Sequence, residues 1–224
     1  MLQTDEEYKL FVTSLGKRMA NPLSREQLAK CMHFCYVNAR ELYKDAEILL
    51  ENKRYARAFS LCVLCLEELA KIPLILNGAC LNKDDKKIWI KFWKMIHSHQ
   101  TKQHVWQSYG KSFLPKEMAE IYRYRFPKEL PLERLKQIGF YVDFINDEPM
   151  IPSIFYLHNQ TILKIVFKIA KNRLKGFYPL HSKIEYSQKI IKLLDKVTVS
   201  VQCDHGTRME FSELFETMLK NKAC

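Results

Sequence analysis

The stretch that decides the fold is YARAFSLCVLCLEELAKIPLIL, which runs from Tyr55 to Leu76. It is almost continuously apolar, and only Glu67, Glu68 and Lys71 add charge after the first few residues. On a helix, which turns by about 100° per residue, its apolar side chains fall on two opposite faces. We therefore predict a helix that is buried on two sides. Glu67 and Lys71 have the i,i+4 spacing of a favourable side-chain pair.

The three charges in this segment leave two interpretations open. A pair at i,i+4 is worth only about 0.2–0.5 kcal/mol on an exposed helix, and charges within apolar surroundings are costly without partners. The charges either form the solvated side of an amphipathic helix or belong to a polar site that other segments complete.

Composition favours a single helical domain over residues 1–224. The chain has 224 residues, six glycines, eight prolines and 47% hydrophobic residues, which leaves few turn signals for a many-stranded protein. The formal net charge is +11, with lysines spread along the chain. Such a charge suits a polyanion or an acidic protein surface as partner.

Cysteine usage and the lack of targeting signals predict a soluble, cytoplasmic protein without a membrane partner. The seven cysteines are odd in number and lie mostly in apolar helical patterns, as expected in a reducing compartment. We interpret Cys62-x-x-Cys65 as core packing rather than a metal site, because no second pair follows at a suitable interval. The N-terminus resembles no signal peptide, and the uncharged runs are too short to span a bilayer.

The first half of the chain predicts three long helices. Ser24 and Gln27 form a capping box, and the helix that follows should end at a turn over residues 52–54. Pro73 should kink or end the second helix near Ile72. The third helix should cover residues 84–109. Its stripe contains Ile88, Phe92, Met95, His99, Lys102 and Trp106, so that His99 and Lys102 point inward.

The second half is less regular. LERLKQIGFYVDF predicts a helical turn that runs into a segment of ambiguous type. Ser153 can cap a helix that ends at Gly176, and a capping box of Ser182 and Glu185 can open a helix to about residue 196. A last short helix is predicted over residues 212–219.

Three motifs occur in a characteristic order: LEELAK at residues 66–71, HSHQTK at 97–102, and GFYVDF at 139–144. In this combination the chain resembles the abortive-infection AbiV family. Members carry an EE-x-GK motif on an Ala-rich helix, H-x-x-K on the next long helix, and a YVD-like segment followed by a proline. The resemblance covers about residues 41–152. Ala70 departs from it by replacing the usual glycine, and Pro73 is unusual after the lysine.

The resemblance implies an all-α, HEPN-like helical bundle with additional C-terminal helices. We place the AbiV/HEPN-like core at residues 24–152 and a C-terminal helical extension, packed on the core, at 153–224. AbiV-like proteins are bacterial antiphage factors, and many HEPN domains are metal-independent ribonucleases that act as dimers. A homodimer, a phage-encoded activator protein, and RNA or the translation machinery as target are therefore the implied partners.

The candidate catalytic residues are His99, Lys102, Glu67 and Lys71. Histidine suits acid–base chemistry because its unperturbed pKa lies near neutral pH, while Lys102 would hold phosphate and Glu67 and Lys71 would orient the pair. HEPN ribonucleases usually carry R-x(4-6)-H, and here only Lys94 has that spacing to His99.

The remaining candidates surround this set. We predict Lys94, Arg134, Tyr141 and Asp143 as RNA- or phosphate-binding residues and Glu68 as a supporting residue. No metal and no cofactor are predicted, because the histidines at 97, 99 and 104 do not share one helical face. An inward His99 beside Glu67 is equally typical of a buried polar network that fixes helix register.

The function predicted from these residues and the resemblance is antiphage defence of the abortive-infection type. It would shut down translation or growth, by metal-independent endoribonuclease action on RNA. One alternative is a non-catalytic protein that binds a phage or translation component through its basic surface. A second is a nucleotide-binding helical module that uses Lys71, Lys102 and Arg134 around phosphates.

Overall fold

A computed structural model of the chain describes residues 4, 6, 21–79, 81, 83–103, 105, 132–145, 148–150, 160–177 and 188. Its elements are helix α1 (Arg25–Glu51), α2 (Tyr55–Ala79), α3 (Lys86–His97), α4 (Leu132–Phe140) and α5 (Gln160–Gly176), with strands β1 (Asp143–Ile145) and β2 (Glu148–Met150) between α4 and α5. The predicted all-α class is confirmed. The two short strands pair antiparallel, with Asp143 opposite Met150.

Helices α1 and α2 form a long hairpin, as the sequence predicts. The side chain of Ser24 accepts a hydrogen bond from the backbone N–H of Gln27, and the side chain of Gln27 accepts one from the N–H of Ser24, so the capping box is confirmed. The turn over residues 52–54 is also confirmed. Lys53 there adopts a left-handed φ of 59°, which reverses the chain direction within three residues.

Helix α2 is the central helix of the described fold. It packs against α1, α3, α4 and α5, and among its residues with a described side chain only Arg57 is exposed. The prediction that this helix is buried on two sides is therefore confirmed. Helix α5 packs against both α1 and α2. At α1, the hydroxyl of Tyr36 donates to the carbonyl oxygen of Leu174 at 3.3 Å and the ring of Tyr43 contacts Phe167.

Of the two effects predicted for Pro73, the end of the second helix near Ile72 is wrong, because α2 continues through Pro73 to Ala79, and the kink stays a prediction. Proline removes one backbone hydrogen bond, but residues 74–76 are almost completely buried. Their apolar burial holds the helix together beyond the proline, since each such side chain contributes about 1.5–3 kcal/mol.

The predicted single helix over residues 84–109 is also wrong. Helix α3 ends at His97, Ser98 is extended with ψ 118°, and a new helical segment begins at residue 99. The buried stripe of α3 consists of Trp89, Phe92 and Ile96, whereas Ile88 is 37% exposed. The break at Ser98 allows the residues before and after it to bury different faces.

The other predictions of helices have mixed outcomes. Helix α5 ends at Gly176 as predicted, and the ambiguous segment after α4 is extended. Outside the described residues lie the starting position at Ser153, the helix at residues 212–219, all of the helix at 182–196 except residue 188, and most of the predicted extension. No helix in the described ranges combines the length and apolar character needed to cross a bilayer.

Candidate functional site

A buried carboxylate lies at the centre of the polar site. Glu67 on α2 is only 2% exposed. Its Oε2 lies 2.5 Å from Nδ1 of His99, and its Oε1 accepts hydrogen bonds from Nζ of Lys136 at 2.9 Å and from Nε2 of Gln103 at 3.2 Å. Nζ of Lys102 lies 3.9 Å from Oε2. We call the group of Glu67, His99, Lys102, Gln103, Glu133 and Lys136 the Glu67 cluster.

Ser98 brings one part of this cluster to Glu67. Its hydroxyl accepts a hydrogen bond from the backbone N–H of Thr101 at 3.1 Å, and its carbonyl oxygen accepts one from the N–H of Lys102 at 3.2 Å. Ser98 therefore ends α3 and also caps the segment that begins at residue 99. Because of this restart, His99 and Gln103, four residues apart, both reach Glu67.

Helix α4 brings the other part, and a glycine allows it to approach α2 closely. The hydroxyl of Ser60 on α2 donates to the carbonyl oxygen of Lys136 at 2.8 Å. A Cβ atom on Gly139 would lie 1.8 Å from the Ser60 hydroxyl oxygen and 2.7 Å from the carbonyl oxygen of Ala56. Only glycine permits this packing, which places Lys136 at 3% exposure beside Glu67.

Charges within the cluster balance, with two carboxylates and two ammonium groups. Besides Glu67, Lys136 also bonds to Oε2 of Glu133 at 2.7 Å. Gln103 donates to the same Glu133 oxygen at 3.0 Å. Buried charges need such pairing, because removing one partner leaves an uncompensated charge that costs about 3–5 kcal/mol.

Two side chains of the cluster have shifted pKa values. Burial lowers the pKa of Lys102, and the positive charges of Lys71 and Lys136 add to this effect while Glu67 opposes it. Burial by itself would raise the pKa of Glu133, but hydrogen bonds from Lys136 and Gln137 outweigh burial and lower it. The cluster thus stabilises the ionised form of Glu133.

His99 is the most exposed member of the cluster. Its side chain is 49% exposed, compared with 2% for Glu67 and 4% for Lys136. The short contact with Oε2 of Glu67 fits an imidazole whose Nδ1–H donates to the carboxylate. In that tautomer Nε2 carries the lone pair, which is the arrangement of a histidine held for general base catalysis.

Three side chains could offer ligand atoms to a metal ion. Those of Glu67, His99 and Glu133 lie within 4.8 Å of one another. The ammonium group of Lys136 is 2.9 Å from Glu67 Oε1, 2.7 Å from Glu133 Oε2 and 3.2 Å from His99 Nδ1. A cationic group of the protein itself therefore lies beside all three.

A family model described as AbiV, of the HEPN type, matches residues 27–175, which is more than half of the chain. The chain belongs to the AbiV family. No curated protein and no solved structure matches it significantly. Membership confirms the predicted resemblance and the HEPN-like helical fold, and it suggests abortive-infection antiphage defence as the broad role. The matched region contains α2, α3, α4 and nearly all of α1 and α5, and so includes the whole Glu67 cluster.

The structure brings together three of the four predicted catalytic residues of this AbiV protein. Glu67, His99 and Lys102 meet. Lys102 is 5% exposed as expected of an inward lysine, whereas the prediction that His99 also points inward is wrong, because its side chain is 49% exposed. The predicted pair of Glu67 and Lys71 is wrong, because Lys71 bonds to Glu68 instead. Burial would lower the pKa of Lys71, but the hydrogen bond to Glu68 and its negative charge raise it.

Glu68 and Lys71 lie beside the N-terminal half of α1, and their charges also act on Lys102 of the Glu67 cluster. Glu68 lines a surface depression together with Cys31, Phe34 and other residues of α1. Cys31 and Cys35, one turn apart on α1, feel the charges of both Glu68 and Lys71. Glu68 thus pairs with Lys71, and its supporting role in the site stays a prediction.

The predicted phosphate-binding residues lie on or next to three different elements. Lys94 is exposed near the end of α3, on the other side of the break at Ser98 from His99. Arg134 follows Glu133 on α4, and Asp143 begins β1. Tyr141 directly follows α4 and is 63% exposed. Their role in binding RNA stays a prediction.

The sequence predictions missed Gln103, Glu133 and Lys136. Gln103 directly follows the motif that ends at Lys102, so the helical spacing from His99 could have identified it. Glu133 and Lys136 have the i,i+3 spacing of an ion pair. However, nothing in the segment LERLKQIGF indicates that Lys136 faces the core, because this orientation depends on the contact of Gly139 with α2.

Proposed function

We propose that this AbiV protein limits phage propagation by cleaving RNA as a metal-independent endoribonuclease, with His99 as the acid–base residue. The observation that carries the proposal is the pairing of a half-exposed imidazole with a buried carboxylate through a 2.5 Å contact. A carboxylate in this position fixes the tautomer and the orientation of the ring and stabilises the imidazolium that forms during proton transfer.

The reaction that fits this pair is an internal transesterification of RNA. Nε2 of His99 removes the proton of a ribose 2′-hydroxyl, and the 2′ oxygen attacks the adjacent phosphorus. The bond from phosphorus to the 5′ oxygen of the next nucleotide breaks, and that oxygen takes the proton back from Nε2 of the His99 imidazolium, which restores the neutral ring. The products are a 2′,3′-cyclic phosphate and a 5′-hydroxyl end, so atoms and charge balance without a redox step.

Burial changes the role that we propose for Lys102. Its side chain is 6% exposed, which leaves its ammonium little access to a substrate phosphate. We therefore propose that Lys102 acts on His99 through the charge of Glu67. Exposed basic residues such as Lys94, together with the net charge of +11, would supply the attraction for the RNA backbone.

The decisive variant is His99→Ala, and His97→Ala is its matched control. His97 is exposed two residues earlier, and its Nδ1 lies 2.7 Å from the backbone oxygen of Trp93, outside the Glu67 cluster. Efficiency of plating of phage should be measured in cells with equal amounts of each protein. We expect His99→Ala to abolish protection and His97→Ala to retain it. Full protection by a folded His99→Ala variant would refute the proposal.

A second function has support from the cluster itself. Glu67 joins α2 to α4 and to the segment of residues 99–103, so the network would also stabilise a protein that acts only by binding. In that case protection would survive His99→Ala and fail when exposed lysines are replaced by glutamate. Such a protein would recognise an acidic phage or translation component.

We also propose that the protein acts as a homodimer, since HEPN domains often dimerise, and that a phage-encoded protein activates it. Light scattering coupled to size exclusion would show the dimer mass for the purified chain. A monomer at micromolar concentration would contradict this part of the proposal without affecting the assignment of His99.

A further inference from the structure

We infer that Lys136 is a built-in cation that takes the place of a metal ion in the Glu67 cluster and acts as a positioning residue for His99. The consequence for catalysis rests on the proposed function, whereas the replacement of a metal ion does not. The inference starts from a geometric fact: the ligand atoms of Glu67, His99 and Glu133 lie within 4.8 Å of one another.

Two carboxylate oxygens and an imidazole nitrogen form a ligand set for divalent metals. Here the ammonium of Lys136 is 2.9 Å from a carboxylate oxygen of Glu67, 2.7 Å from one of Glu133, and 3.2 Å from Nδ1 of His99. It is also 4% exposed, so it cannot easily leave for solvent.

The ammonium is held in this place by the backbone as well as by its charge partners. The hydroxyl of Ser60 donates to the carbonyl oxygen of Lys136 at 2.8 Å, and the close approach at Gly139 presses the same helix against α2. A lysine that is fixed at both its backbone and its side chain is a permanent cation in this place, whereas a metal ion exchanges with solvent.

The position of Lys136 also determines which way Glu67 points. Lys136 and Gln103 occupy Oε1 of Glu67, which leaves Oε2 for Nδ1 of His99. Because the closer Nδ1 contact is with the carboxylate, the ring proton is directed at Oε2. Lys136 acts on His99 through Glu67: by holding Oε1 it leaves Oε2 as the acceptor for Nδ1–H, so that Nε2 is unprotonated.

The test is a titration of the protein with Mn²⁺, in which electron paramagnetic resonance measures the concentration of the free ion. Mn²⁺ prefers oxygen and nitrogen ligands, so the cysteine thiols compete less than they would for zinc. In Lys136→Ala the ammonium is gone while Glu67, His99 and Glu133 remain. We expect this variant to bind one Mn²⁺ at least tenfold more tightly than the unaltered protein and to gain thermal stability from it.

Two further variants make the result specific. Adding Glu133→Gln to Lys136→Ala removes a ligand and should abolish the gain in Mn²⁺ affinity. Lys44→Ala removes an exposed lysine that pairs with Glu41 at 3.2 Å and should bind no more Mn²⁺ than the unaltered chain. A folded Lys136→Ala protein with unchanged Mn²⁺ affinity would overturn the inference.

The unaltered protein provides an independent test if Lys136→Ala does not fold. Its binding of Mn²⁺ should be the same as that of the His99→Ala variant. A Mn²⁺ site that is present in the unaltered protein and lost in His99→Ala would overturn the inference. In addition, ¹⁵N NMR of the His99 ring at pH 8 should show Nδ1 protonated in the unaltered protein. A predominantly Nε2-protonated ring would contradict the positioning role. Neither measurement involves RNA, so the inference can fail while the ribonuclease proposal stands.

Discussion

Replacing Gly139 by alanine should destabilise the protein by displacing α4 from α2. The new Cβ would lie 1.8 Å from the Ser60 hydroxyl oxygen, far inside the 3.4 Å at which ordinary contact begins. The hydroxyl can rotate away only by giving up its hydrogen bond to Lys136, worth about 0.5–1.5 kcal/mol. The carbonyl oxygen of Ala56, 2.7 Å from the Cβ, belongs to the α2 backbone and cannot rotate.

The expected loss of stability combines overpacking, the lost hydrogen bond of Ser60 and the difference in helix propensity. Overpacking typically costs about 1–3 kcal/mol, and the higher helix propensity of alanine returns about 0.5–1 kcal/mol. We therefore expect Gly139→Ala to lower the free energy of unfolding by about 2 kcal/mol, measured by urea denaturation followed by circular dichroism. Since Lys136 lies one turn earlier on α4, antiphage protection should also decrease.

Gly176→Ala is the matched control. A Cβ at Gly176, the last residue of α5, would have no neighbour within 4 Å. This substitution should change the free energy of unfolding by less than about 0.5 kcal/mol. If Gly139→Ala were as neutral as Gly176→Ala, the close packing of α4 on α2 would be refuted, and with it the buried position of Lys136.

Three further predictions concern other parts of the fold. Ser24→Ala removes the capping box of α1 and should lower the free energy of unfolding by about 1 kcal/mol, seen as a lower thermal midpoint; an unchanged midpoint would refute the cap. The lowered pKa of Glu133 stabilises the fold above the pKa of the unfolded chain, and this stability is lost as pH falls through the folded-state value. Stability should therefore fall on acidification in the unaltered protein and by a smaller amount in Glu133→Gln, and equal pH dependence in urea titrations would contradict the pairing. Finally, Cys31 should be alkylated before Cys62 and Cys65 at neutral pH, because its hydrogen bond with Cys35 lowers its pKa whereas burial raises those of the other two. Mass spectrometry of the peptides would show the order, and faster modification of Cys62 would contradict the buried position of that thiol.

Local signals in the sequence predict much of the helical architecture. The capping box at Ser24, the turn at residues 52–54 and the two-sided burial of α2 all depend on residues close together in the chain. Such features follow from propensity and periodicity. The end predicted at Pro73 fails because burial of the residues after it outweighs the loss of one hydrogen bond.

The site is predicted only in part, because its partners come from distant segments. Glu67, His99 and Lys102 are recognisable as polar residues in apolar patterns. The spacing of Lys71 allows a pair with either Glu67 or Glu68, and the structure pairs it with Glu68; its catalytic role stays a prediction. Lys136 depends on tertiary packing through Gly139. The break at Ser98 could have been recognised from a serine that caps the following turn.

The most direct test of the proposed activity is sequencing of RNA 5′-hydroxyl ends in phage-infected cells. Cells should carry either the unaltered protein or His99→Ala at equal abundance. We expect discrete new 5′-hydroxyl ends, paired with 2′,3′-cyclic phosphates, only with the unaltered protein and only after infection. Intact RNA in cells that are nevertheless protected would contradict ribonuclease action at His99 and would favour a protein that acts by binding.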